Sequence, residues 1–362
     1  MTHFSNPQEF LDHVRVVESK VVPKTNIDQK FQQIQDEQMK EGGITLPLNT
    51  DSYDLIVGNV VKEIVGALPS GQQKRFEKSV AAGCLEHPSV NAQILRSPDD
   101  RYAIVLNKGL LILLNKFMKL IAAGREPEAV IYCNRGEPSQ FDYLAYQEMA
   151  DEILSQYAET GIPAGPRIKF DLDSEAAALA SGHIHMTELF IFSHEIGHFF
   201  NGDLANHNCF TKWHVCEEID IFRNEKCHQM EFAADRFAFE HVMRVISSTT
   251  PELPAFSAFS SAILSFNFLR GIANRESYSH PAPSVRLIAL TKEFFGEDAA
   301  NSMERSFLNP RILLEIQAAS GKPSVTELLQ RRDSMRPEMS NPTSSAPRRQ
   351  SILQKAFTGE LV

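Results

Sequence analysis

The sequence predicts an α+β protein with a mostly helical second half and a mixed α/β region before it. Three observations carry this. Short apolar runs alternate with helical stretches over residues 44–161, the turn cluster GIPAGP occupies 161–166, and long helical periodicity runs from there to about 319. The 362 residues correspond to about two domains at roughly 150 residues each.

In chain order, residues 1–42 are polar and Gln-rich, with weak helical spacing in Phe31, Ile34 and Met39 before a Gly42-Gly43 break. They predict an exposed N-terminal arm. Within the mixed region, 43–165, residues 102–106 (YAIVL) and 129–133 (AVIYC) read as strands, and 110–122 and 141–160 as helices. A helical core is expected over 166–320. From 321 to 362 Pro, Ser and Arg accumulate and apolar periodicity lapses until Ile352 and Leu353. Such a segment buries too little surface to offset its ordering entropy, so a disordered tail is expected. Arg331, Arg332, Arg336, Arg348 and Arg349 leave a basic binding tail as the alternative.

Apolar side chains make up 43% and charged ones 23% of the chain, which excludes collagen, coiled coil and wholesale disorder. A net charge of -10 excludes a surface that grips phosphates all over, and no nucleic-acid partner is expected. The start MTHFSNPQEFLDHVRVVESK lacks the basic and apolar stretches of a signal peptide. The most apolar window, 103–123, is interrupted by Asn107, Lys108, Asn115, Lys116 and Lys119, whereas a membrane span needs about 20 nearly uncharged residues. Cys84, Cys133, Cys209, Cys216 and Cys227 form an odd, sparse set, so no disulfide framework is expected. The expected location is the cytoplasm, with no membrane span.

The informative stretch is TELFIFSHEIGHFFN, residues 187–201, which contains His194-Glu195-x-x-His198. Residues four apart share a helix face, so two imidazoles are offered to one cation. Glu195, about 100° around the helix from His194, can reach a metal-bound water without being a ligand. Leu189, Phe192, Ile196 and Phe199 can bury the opposite side of the helix. Gly197 costs about 1 kcal/mol of helix propensity relative to Ala, which predicts a neighbour packed close at that point.

Catalytic zinc uses three protein ligands and one open position. A third histidine in the pattern HExxHxxGxxH would need Gly at 201 and His at 204; these are Asn201 and Leu204, and His207 falls too late. The other solution is a carboxylate on a second helix. The segment HQMEFAADRFA, 228–238, supplies Glu231 and Asp235 as i,i+4 neighbours on an otherwise apolar helix, where buried acids must be paired or bind metal. Glu231 is assigned as third ligand, with Asp235 accepting a hydrogen bond from the free ring nitrogen of one histidine. The alternative pairs Glu231 and Asp235 with Arg236 or Arg223 on the surface.

HEIGH followed by EFAAD resembles the gluzincin metallopeptidases, whose HExxH and ExxxD helices bind one zinc ion. Residues 278–290, YSHPAPSVRLIAL, resemble the His-Pro…Arg segment that follows the Glu helix in the CaaX prenyl protease and HtpX-like family. The soluble context and short insertions resemble the Lit-type phage-exclusion peptidases, which are cytoplasmic bacterial proteins. The resemblance spans roughly residues 187–291. It implies a zincin-like fold, one Zn2+ per chain, a protein or peptide substrate and Glu195 as general base. By the same analogy His280 or Arg286 supplies a second donor to the oxyanion. Alternatively, His280 caps the helix beginning near Pro283 and Arg286 is a surface ion-pair partner. A non-catalytic zincin-fold module that binds a peptide or ligand is the competing class, and an intact Glu195 argues against it.

Between the two expected zinc helices, residues 201–229 gather His207, Cys209, His214, Cys216, Cys227 and His228, together with Trp213. No CxxC or HxxxH pair occurs, which favours a loop over the site rather than a second, structural zinc.

Overall fold

The computed structural model describes residues 3–19, 52–133, 143–160, 170–205, 225–247, 254–272 and 280–308. The tail 321–362, most of the expected arm, and residues 206–224 of the insertion, with Trp213, lie outside the described residues.

Helix α1 (Pro7–Ser19) starts where its sequence says it should: Asn6 Oδ1 accepts from the Glu9 amide at 2.9 Å, and proline fills the first helical position. The structure differs here from the exposed arm expected of residues 1–42. Phe4, Phe10, Leu11 and Val14 are buried against Leu85, Ala103 and Val105. The i,i+3 and i,i+4 spacing of residues 10, 11 and 14 is one helix face, too short to stand out among polar neighbours.

Helices α2 (Ser52–Gly66) and α3 (Ser70–Ser79) lead into a three-stranded sheet of β1 (Val80–Leu85), β2 (Ala92–Arg96) and β3 (Tyr102–Asn107). β3 is central, parallel to β1 (Val80 opposite Tyr102) and antiparallel to β2 (Ala92 opposite Leu106). Strand alternation sends Ala103 and Val105 toward α1, while Ile104 and Leu106 join the main core. Helix α4 (Lys108–Arg125) follows, then β4 (Val130–Cys133), α5 (Tyr143–Thr160) and β5 (Phe170–Leu172), which pairs antiparallel with β4. The expected strands at 102–106 and 129–133 and helices at 110–122 and 141–160 are thus present.

The second half is helical, giving the α+β architecture expected. Helix α6 (Ser174–Asn201) runs through the centre and packs against α2, α4, α7 (Glu225–Ser247) and α8 (Pro254–Ile272). Its start is fixed by Asp173, whose Oδ1 accepts from the amides of Glu175 and Ala176 at 3.0 and 2.9 Å. Its end is fixed by Gly202 in the left-handed conformation, φ 74°, with its amide donating to the His198 and Phe199 carbonyls. From Thr187 to Phe199 every residue is buried, as expected of a helix apolar on nearly all sides. Helices α9 (Pro283–Phe295) and α10 (Glu297–Leu308) close the fold. One apolar cluster reaches from Tyr53 to Met303, so both halves of the chain share a core. Among the described residues no helix is long and apolar enough to cross a membrane.

Candidate metal centre

Helices α6 and α7 bring the two distant motifs together. His194, Glu195, His198, Glu231 and Asp235 are each at most 2% exposed. The Nε2 atoms of His194 and His198 lie 3.1 Å apart. Glu231 faces both, with Oε2 3.4 Å from His194 Nε2 and Oε1 3.5 Å from His198 Nε2. The expected close neighbour at Gly197 is α7: a Cβ added there would stand 3.1 Å from the Ala234 Cα and carbonyl oxygen. A side chain at 197 would force the two backbones apart by a few tenths of an ångström beside the histidine pair.

Each imidazole is oriented from behind by a carboxylate. His194 Nδ1 donates to Asp235 Oδ1 at 2.9 Å, and His198 Nδ1 to Asp203 Oδ2 at 2.8 Å. With both Nδ1 atoms committed as donors to these carboxylates, the two Nε2 atoms are the ones left facing Glu231. Asp203 was not anticipated from sequence. Its signal is a carboxylate immediately after the glycine that ends α6, where the chain folds back on the helix's last turn.

Arg286 lies beneath the ligands. Its Nε and Nη2 donate to both oxygens of Asp235 at 2.8 and 2.6 Å, and Nη1 sits 3.1 Å from Glu231 Oε2. It is buried, 3% exposed, so the surface ion-pair alternative does not hold. Nor does the surface pairing of Glu231 and Asp235 with Arg236: that side chain reaches Glu240 and Glu293 instead. Arg223 lies outside the described residues. His280 places Nε2 3.5 Å from Glu231 Oε1. The N-cap of α9 is Ala282, without a side-chain capping bond, so His280 does not cap that helix.

The electrostatics favour positive charge at the point where the ligand atoms meet. Burial opposes ionisation of Glu231, but His280, Arg286 and the two histidines outweigh it and hold the carboxyl well below its usual range. Burial likewise opposes a charge on His198, yet its hydrogen bonds to Asp203 and Glu231 push its pKa up to about 10. Glu195 is different: burial raises its pKa, and among the described residues neither carboxyl oxygen has a hydrogen-bond partner. Burial pushes His280 down to about 4, leaving it neutral near pH 7. Two imidazole nitrogens and a carboxylate, all within 4.8 Å of one another, form a donor set that fits a divalent metal ion.

A family model described as Peptidase U49 matches residues 160–306. The match spans both ligand helices, and it supports a peptidase, hence a hydrolase acting on protein substrate. No curated protein and no solved structure matches the chain.

Proposed function

We propose that this chain is a zinc-dependent metallopeptidase that hydrolyses peptide bonds of protein substrates in the cytoplasm, with one Zn2+ per chain held by His194, His198 and Glu231. The observation that carries the reading is the convergence of three buried donor groups, the two imidazoles already bonded from behind, beside a buried carboxyl on Glu195 that has no hydrogen-bond partner among the described residues. A bound zinc ion supplies Lewis acidity, polarising a carbonyl and lowering the pKa of water to about 7.

The remaining steps belong to the chain. Glu195 takes the proton from the attacking water on a carboxylate oxygen and delivers it to the leaving amine. Its raised pKa suits both halves of that task, because a carboxylate at its ordinary value is a poor acid near neutral pH. His280, uncharged, offers a ring N–H to the developing oxyanion. Asp235 and Asp203 fix the tautomers and directions of the two imidazoles. Arg286 neutralises Asp235 and Glu231 and therefore acts as a positioning residue rather than through contact with substrate.

Metal analysis with a Glu195→Gln variant tests the reading. The expected result is one zinc per chain in both proteins and proteolysis only in the parent. Purified protein that binds no zinc would overturn it, and a Glu195→Gln variant as active as the parent would instead favour a zincin-fold binding module.

A further inference from the structure

We infer that Arg96, on β2 and far from the motif helices in sequence, is a positioning residue for the metal ligand His198, acting through the turn that carries Asp203. The inference rests on the reading of His198 as a ligand.

Asp203 holds His198 from a single turn of 3-10 helix, Asp203–Ala205, immediately beyond the left-handed Gly202. Gly202 ends the helix and the main chain there leaves α6, so helical hydrogen bonding cannot fix where Asp203 sits. The tether comes from the other half of the protein. Arg96 Nη1 donates to the Leu204 carbonyl at 3.1 Å, one residue from Asp203.

Arg96 is also bonded within its own hairpin. Its Nε and Nη2 both donate to Asp100 Oδ1, at 2.8 and 2.5 Å, which leaves Nη1 directed at the turn. Asp100, in the left-handed region at φ 58°, belongs to a tightly bonded connection between β2 and β3. There Ser97 N donates to the Arg101 carbonyl at 2.8 Å, Asp100 N to the Ser97 carbonyl at 3.2 Å, and Arg101 N to Ser97 Oγ at 3.0 Å. Asp99 of the same connection accepts from the Phe4 amide at 2.7 Å. The hairpin thus presents one guanidinium N–H to the segment that orients an imidazole. A planar fork with one edge occupied and one donor projecting is a geometry lysine cannot reproduce.

Carboxylates that orient ligating histidines are commonly worth about 10- to 100-fold in metal affinity. Arg96→Met is expected to weaken zinc binding about tenfold in chelator competition, with Arg96→Lys nearly as weak. It is also expected to speed solvent exchange of the His198 Nδ1 proton in the metal-free, isotope-labelled protein. Asp203→Asn should weaken zinc more, and Arg96→Met added to Asp203→Asn should cost nothing further. Zinc losses that simply add, or an Arg96→Met protein with lowered Tm but unchanged zinc affinity and proton exchange, would overturn the inference. A parent protein that binds no zinc yet loses protection of the His198 proton in Arg96→Met would sink the metallopeptidase reading and leave the tether standing.

Discussion

Gly197 of α6 and Ala234 of α7 meet backbone to backbone. The position a Gly197 Cβ would take is 3.1 Å from both the Cα and the carbonyl oxygen of Ala234 and 3.2 Å from Phe237 Cβ. This crossing sets how near the Glu231 carboxylate comes to the histidine pair. Gly197→Ala is expected to destabilise the fold by about 1 kcal/mol, because roughly 1–3 kcal/mol of overpacking against unyielding backbone exceeds the helix propensity gained. It should also weaken zinc binding. Chemical denaturation and chelator competition check the two effects.

Glu195→Gln keeps the shape of the side chain and removes its ability to carry a proton. Loss of roughly 10²- to 10⁴-fold in kcat at unchanged zinc content is expected. His198→Ala and Glu231→Ala, by contrast, should lose zinc itself, measured by metal analysis after dialysis.

Arg286 is enclosed between two carboxylates and lies over the ring of Phe266, its guanidinium carbon 5.2 Å from the centroid. Arg286→Met removes the one buried guanidinium that Asp235 and Glu231 share. A loss of about 3–5 kcal/mol is expected in the metal-free protein. Thermal unfolding with and without zinc checks this: bound metal restores positive charge beside Glu231 and should narrow the deficit.

Glu188 lies on α6, outside the metal centre, and burial pushes its carboxyl pKa up to about 7, with His185 only partly offsetting the shift. His185 in turn pairs with Glu63 of α2 at 3.3 Å. Between its unfolded value near 4.5 and its folded value near 7, the native state keeps a proton that the unfolded state releases, so stability falls as pH rises through that window. Glu188→Gln should remove this loss. Its stability relative to the parent is expected to climb by about 3 kcal/mol from pH 4.5 to 7 and then level off, as read by denaturant titration at several pH values.

Much of the helical half is legible in the chain itself. HEIGH and EFAAD declare two helices with the ligands facing inward, and Gly197 declares the contact between them. Strands β1, β2 and β5 are harder. VAAGCL is poor in the residues that favour strands, AQILR is only five residues long and FDL only three; what makes them strands is pairing with β3 and β4, which no local pattern states. Asp203 and Arg96 escape for a related reason. One follows a helix end and the other sits about a hundred residues away, so their joint effect on His198 exists only once the chain is folded.

The apolar cluster from Tyr53 to Met303 crosses the boundary at which the Peptidase U49 match begins, and His241 of α7 reaches the Ile64 carbonyl of α2 at 2.9 Å. A shortened gene encoding only the ligand-bearing stretch would yield a polypeptide stripped of one wall of its interior. The strands and helices upstream are therefore no detachable accessory: whatever chemistry the histidines perform, they perform it as part of an indivisible body.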